Sequence, residues 1–309
     1  MTAFQHVRAE DIQEYQRFCI HHIRAFGRDL PAELWHYTDA SGLVGILKSG
    51  QIWATQVSCL NDTLEQRHFG NLVHDAVKAH RRQNPDPLFE PLYRAADDLL
   101  ENRDFTTDGQ FAACFSEAED DLGQWRGYGG GECGYAIGFK SQGILDALKR
   151  RPGALLLPMG YADSIHSFIV TDVLRLAEIY FRNGLTRSLP PDAWAQEFVA
   201  AFGYELNIIA AVVKHPKFAG EAERRIATLL QVDEYDQLIF RQKRTLLARH
   251  LPLNLATDID GARRLPITRI YVGPGPAQQV SKISVGDLLM QCRYQNISVE
   301  LSRVPYRVP

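Results

Sequence analysis

What this chain lacks narrows its reading before any motif does. Its five cysteines, Cys19, Cys59, Cys114, Cys133 and Cys292, are odd in number, widely spread and without a C-x-x-C pair. Neither a disulfide framework nor a zinc or other metal site is indicated, and reduced thiols in the cytoplasm are the expectation. No run approaches the roughly 20 apolar residues of a membrane span, and the N-terminus carries no apolar core flanked by positive charge. Charge of one sign is not in large excess: the formal net charge is -3 over 309 residues. Bulk electrostatics therefore give no general reason to bind nucleic acid or membrane, while a local basic patch stays compatible with that balance. G-x-x-x-x-G-K-[ST], G-x-S-x-G, H-E-x-x-H and the kinase signature set are all missing, and Arg269-Ile-Tyr-Val-Gly-Pro-Gly-Pro276 lacks G-x-G-x-x-G spacing before a helix. Internal repeats and low-complexity tails are absent too. What remains is an ordinary soluble composition, 45% hydrophobic and 23% charged, long enough for a sizeable core.

The segment that organises the rest is Leu34-Trp-His-Tyr-Thr38, continuing through Gly42-Leu-Val-Gly-Ile-Leu47 and Gly50 to Gln51-Ile-Trp-Ala-Thr55. It reads as strand, helix, strand. The two-residue period puts Leu34, His36 and Thr38 on one face of the first strand and Trp35 and Tyr37 on the other. Thr38 or Asp39 can cap the helix, Leu43, Ile46 and Leu47 form its buried stripe, and Gly50 supplies the left-handed residue past its end.

Helical periodicity predicts helices over 11–26, from Glu65 to about Arg82, and over 88–100, with Pro85 and Pro87 between the last two. Phe111–Ser116 and Gly134–Phe139 read as strands. The Gly-rich, aromatic segment Asp120 to Cys133 between them reads either as a ligand-contacting loop or as a hairpin loop with a buried tryptophan. Helices are expected over 164–182 and 193–214. Further strands are expected from Glu221 or Glu223 to Leu230, over 237–243, 246–252, 267–272 and 297–303, and a helix over 284–292. The sum is a single α+β domain over 1–309, a mixed, mainly antiparallel sheet with flanking helices and a mainly helical insertion around 141–214. On an extended chain Glu221, Glu223 and Arg225 share a face. Two acids so placed need solvent, a cation or a task.

Successive motifs, Trp35-His-Tyr-Thr38, Leu60-Asn-Asp62 with Glu65, Gln124-Trp-Arg-Gly-Tyr128, and Glu221, Glu223 and Arg224, resemble those of a bacterial domain-of-unknown-function family across most of the chain. The opening His-Tyr-Thr also resembles the first motif of the ADP-ribosyltransferase superfamily. That resemblance implies a sheet of ADP-ribosyltransferase-like type and NAD as co-substrate. It implies cleavage of the nicotinamide N-glycosidic bond and transfer of ADP-ribose to nucleic acid, protein or water. His36 would contact a ribose, Tyr37 and Thr38 would line the same pocket with Arg224, and Ser116, Trp125 and Tyr128 would lie against nicotinamide. Glu223 would hold the ribose hydroxyl and Glu221 would orient the acceptor. The alternative is a non-catalytic module that binds a nucleotide or a partner, for instance in phage defence.

Overall fold

A computed structural model describes residues 29–60, 65–83, 85–102, 109–129, 133–185, 190–199, 213–243, 246–259 and 262–305. The helix expected over 11–26, Asn61 and Asp62, and most of the helix expected over 193–214 lie outside them. In chain order the elements are β1 (Glu33–Thr38), α1 (Ala40–Ser49), β2 (Ile52–Gln56), α2 (Glu65–Gln83), α3 (Glu90–Asn102), β3 (Gln110–Ser116), α4 (Leu122–Tyr128) and β4 (Tyr135–Lys140). There follow α5 (Ser141–Leu148), β5 (Leu155–Pro158), α6 (Asp163–Leu185) and α7, which is helical over 191–199. The last third holds β6 (Glu223–Leu229), β7 (Ile239–Lys243), β8 (Leu246–Leu253), β9 (Thr257–Ile259), β10 (Ala262–Arg264), β11 (Ile267–Val272), α8 (Gln278–Gln291) and β12 (Ser298–Leu301).

The fold is α+β with a mixed, mostly antiparallel open sheet, ordered β12-β11-β4-β1-β3-β2-β8-β7, with β6 pairing both β3 and β5. β11 and β12 run parallel. β1 lies antiparallel to β4 along its whole length, His36 opposite Ile137 and Thr38 opposite Tyr135. Its pairing with β3 is confined to Trp35 opposite Ser116, whereas β2 meets β3 at Thr55–Ala112 and Gln56–Phe111. A small separate sheet, β9 with β10, escaped the sequence reading because each strand has three residues.

By packing, the chain divides into two compact units. One takes in Val57–Gln110 and Leu157–Lys217; the other takes in Arg28–Gln56, Phe111–Leu156 and Phe218–Pro309. The first is helical, with Trp194, Phe181, Phe198 and Phe89 buried in aromatic contact. The second holds β1 and its neighbours. One face of its sheet carries the larger apolar cluster, with Leu34, Phe115, Ile137 and Leu251. The other face carries a smaller one of Trp35, Tyr37, Trp125, Ala136 and Tyr271. With both faces of β1 packed, a polar group on it must find a partner or reach solvent.

Several boundaries differ from expectation for local reasons. Asp120–Gly129, the described start of the Gly-rich segment, is not a plain loop. Asp121 caps a seven-residue helix by accepting from the Gln124 amide at 3.0 Å, a start signal obscured by the five glycines that follow it before Cys133. The 141–214 stretch contains β5 as well as helices. Glu221 ends a 3-10 turn, Pro216–Glu221, and Ala222 at φ +44 breaks it from β6, so Glu221 is not on the strand with Glu223. The expected strand over 237–243 starts only at Ile239, after a 3-10 turn at Val232–Gln237, and the last helix starts earlier, at Gln278.

Two glycines set how closely the smaller cluster can pack. A Cβ on Gly138 would meet the Trp35 ring at 2.8 Å and Thr268 Oγ1 at 2.9 Å, and one on Gly273 would meet the Trp125 ring at 2.9 Å. Each indole lies on a bare backbone. Gly138→Ala is expected to cost about 1–3 kcal/mol through overpacking, read as a lower urea midpoint with the slope unchanged. An unchanged midpoint would show that Trp35 does not rest on that strand.

Candidate functional site

The strand β1 places its side chains by alternation, and the surrounding elements decide what each can do. Asp39 caps α1, its carboxylate accepting from the Gly42 amide at 2.7 Å and from the Ser41 hydroxyl at 2.8 Å. Gly50, at φ +66, closes the helix with its amide on the Ile46 carbonyl. Leu43, Ile46 and Leu47 bury the inner stripe. Thr38 packs over the first turn: a Cβ on Gly42 would lie 1.9 Å from its Oγ1. The end of β1 is therefore fixed by a capped helix on one side and by β4 on the other.

His36 is half-buried on the face of the larger cluster, its ring centroid 5.7 Å from that of Phe115. Nδ1 lies 2.9 Å from the Cys114 carbonyl oxygen. A carbonyl only accepts, so Nδ1 carries the proton and donates. Desolvation lowers the pKa of His36, and the bond to Cys114 offsets this only in part, which favours the neutral imidazole. Nε2 is then an acceptor lone pair of fixed direction, and among the described residues no protein donor bonds it. Thr38, two positions along the same face, is likewise half-buried.

Tyr37 and Trp125 point to the opposite face. The Tyr37 hydroxyl donates to the Ala118 carbonyl at 2.9 Å and accepts from the Asp121 amide at 3.0 Å. Its ring meets that of Trp125 edge-on, centroids 4.8 Å apart. Trp125 donates from Nε1 to Asp120 Oδ1 at 2.9 Å. Asp120, in a left-handed conformation at φ +49, also accepts from the Arg303 amide at 2.8 Å and from the Ser302 hydroxyl. Tyr37, Trp125 and Asp120 thus lock the chain between β3 and α4 onto the sheet. Tyr128 is half-buried against the same cluster. Asp120 was not singled out from the sequence; two adjacent acids before a helix, where only one can be the cap, were the signal for it.

Ser116, Glu221 and Gln124 form a third group. Ser116 Oγ donates to the Glu221 carbonyl at 2.8 Å and accepts from the Ala118 amide at 3.1 Å, and Gln124 Nε2 donates to the same Glu221 carbonyl at 3.2 Å. The backbone before β6 is held by these bonds and by the Glu117 amide on the Ala222 carbonyl, 2.9 Å. On β6 itself, Glu223 and Arg225 are both buried and joined by Nε to Oε1 at 2.7 Å and Nη2 to Oε2 at 3.3 Å. Arg224 reaches the other way, to Glu117 Oε1 at 2.7 Å and the Asp29 carbonyl at 3.1 Å. The cation that a pair of acids requires is therefore present within the strand, two residues from Glu223.

These contacts sort the sequence-predicted residues. Ile226 belongs to the larger cluster, so alternation along β6 puts Arg224 on that side and Glu223 with Arg225 on the other. His36 and Thr38 share a face; Glu223 does not share it. Tyr37, Trp125 and Tyr128 gather on the face away from His36. Ser116 is joined to Glu221 through the latter's backbone. Among the described residues no group of three or more His, Cys, Asp or Glu side chains is arranged to hold a metal, and no helix is long and apolar enough to cross a membrane.

The lowered pKa of His36 has a measurable sign. Above its ordinary value near 6.5 the ring is neutral folded or unfolded, and its contribution to stability is complete. As pH falls below that, the unfolded chain takes up the proton first, so folding weakens until pH passes the depressed folded value. Wild type is expected to lose more stability than His36→Gln between pH 7.5 and 5.5 by urea titration. Equal losses in the two proteins would remove the neutral, buried imidazole.

No family model, no curated protein and no solved structure matches this chain.

Proposed function

We propose that this chain binds a ribose-bearing nucleotide of the NAD or ADP-ribose class at the end of β1, as a nucleotide-binding module with an ADP-ribosyltransferase-like arrangement of His36 and Thr38. The single observation that carries this reading is the unspent acceptor of His36: tautomer set by the Cys114 carbonyl, charge suppressed by burial, Nε2 left for a donor from outside. A ribose hydroxyl is such a donor. A cation at this position would have no acceptor to offer, so the depressed pKa serves hydroxyl recognition.

Glu223 weighs toward binding rather than cleavage. A carboxylate that stabilises a developing oxocarbenium charge needs to face the sugar with its own charge available. Glu223 instead spends both oxygens on a buried guanidinium, on the face away from His36. A second reading, transfer of ADP-ribose from NAD to nucleic acid or protein, is favoured by one feature: Glu221, half-buried at the end of a 3-10 turn, is held in place through its backbone by Ser116 and Gln124. Transfer would draw its acid from there, with Glu223 holding the strand.

Calorimetry with ADP-ribose and with NAD, paired with chromatography of released nicotinamide, separates the readings. Both ligands are expected to bind, His36→Ala to weaken each by about tenfold, the size of one hydrogen bond, and nicotinamide to stay at the buffer rate. Failure of both ligands to bind, or indifference to His36→Ala, contradicts the proposal. Nicotinamide release that Glu221→Gln abolishes would establish transfer in place of simple binding.

A further inference from the structure

We infer that β7 is a self-association surface, on which a second copy of this chain docks strand to strand about a two-fold axis at Phe240. β7 ends the path of the sheet and, among the described strands, pairs with β8 alone. Native sheet edges are commonly blunted by a proline or by a charge on the edge itself. β7 has no proline. Arg241, in the middle of the strand, is drawn inward: its guanidinium lies 4.0 Å from the centroid of the Trp53 ring, and Trp53 stands on β2, on the far side of β8.

Apolar surface gathers at the same place. Thirteen large hydrophobic side chains are exposed among the described residues, and five of them, Val232, Tyr235, Phe240, Leu246 and Leu247, fall in one run around this strand. Val232 is 75% exposed, Leu247 67%, Tyr235 60% and Phe240 54%. Phe240 lies opposite Arg249, and Gln242 opposite Leu247. Phe240 and Leu247 therefore share the face on which Leu251 and Leu253 of β8 enter the larger cluster. The core face of the sheet runs on to its last strand and ends there in exposed side chains. The other exposed apolar stripe, Val280, Ile283 and Met290 of α8, is interrupted by exposed Asp287 at the helical position between Ile283 and Met290.

The surface is complementary to itself, which selects a second copy as its occupant. An antiparallel pair about an axis at Phe240 sets the two Phe240 rings side by side, a favourable cross-strand pair. Ile239 then faces the second copy's Arg241. Centring the pair on Arg241 would set like charges opposite each other, and centring it on Ile239 would need Gln237 extended, whereas Gln237 closes a 3-10 turn. Val232 and Tyr235 precede the strand and Leu246 and Leu247 follow it, so the same rotation lays each group against the other group of the second copy, twice. An interface of standard size takes about 800 Å² from each subunit and has an apolar, aromatic-rich core. Five large side chains, two of them aromatic, together with the main chain of an edge strand, make such a core.

Sedimentation equilibrium of the full chain from about 1 to about 100 μM, the weak end of what such an interface supports, tests this. Wild type is expected to reach the mass of a dimer. Phe240→Glu, which sets two like charges at the axis, should raise the dissociation constant at least about a hundredfold, and Leu247→Glu should raise it less. Phe240→Tyr keeps the ring and should stay dimeric, as should Ile283→Glu on α8. Mild oxidation should join Phe240→Cys chains into covalent dimers beyond the wild-type background, since facing residues of an antiparallel pair lie within disulfide reach; Ile283→Cys should not do so. His36→Ala should leave the dimer intact, so this inference and the nucleotide site stand or fall separately. A monomer throughout the range, a dimer that survives both Phe240→Glu and Leu247→Glu, or one that Ile283→Glu dissociates would each overturn it.

Discussion

Both faces of β1 are packed, and that constraint governs everything nearby. Of its six residues Leu34 joins one apolar cluster and Trp35 and Tyr37 the other, and Glu33, His36 and Thr38 are half-buried beside them. Trp35 and Tyr37 fill one side, their rings admitted by Gly138 and by the close seat of Trp125 on Gly273. Leu34 fills the other. His36 lies on the side of Leu34, its ring 5.7 Å from that of Phe115, where burial lowers its pKa and the Cys114 carbonyl assigns its proton. A histidine in open solvent would have neither property. The candidate site is a by-product of sheet packing whose remaining lone pair the fold does not consume.

The charged groups around β6 follow from the same pressure. A buried carboxylate without a cation would cost several kcal/mol. Glu223 and Arg225 meet this requirement within two residues of one strand, and Arg224 and Glu117 meet it across two strands. Such pairs fix the start of β6 against the end of β3, where the Glu221 carbonyl accepts from both Ser116 and Gln124. Positioning of the chain and neutralisation of charge are one arrangement here. It explains how acidic and basic residues come to stand together in the sequence around the start of β6.

Much of this was legible from the residues. The strand-helix-strand unit, its Gly50 stop and its buried stripe all follow from local signals that agree with one another, and the α+β class followed from the mixture of helical and strand periodicities. The division of β1 into a His36 face and a Tyr37 face followed from pleat alone. What stayed hidden depends on neighbours remote in sequence. Nothing local marks the Cys114 carbonyl as the partner of His36, 78 positions away, or Asp120 as the acceptor for Ser302 and Arg303. α4 was obscured because its glycines read as a loop, although Asp121 is an ordinary cap. Of the two strand starts that the sequence allows, Glu221 and Glu223, the structure takes Glu223, because the positive φ of Ala222, an uncommon state for a residue with a Cβ, interrupts the extended backbone that alternation assumes.

The central claim is that His36 is a neutral imidazole protonated at Nδ1, with Nε2 available to a ligand hydroxyl. Nitrogen-resolved NMR of the histidine rings, with His36 assigned by substitution, observes both nitrogens directly. The account predicts the Nδ1–H tautomer near pH 7, a titration midpoint below 6.5, and a change at Nε2 on saturation with ADP-ribose. A ring protonated at Nε2, or one whose Nε2 signal is unmoved by saturating ADP-ribose, would contradict it.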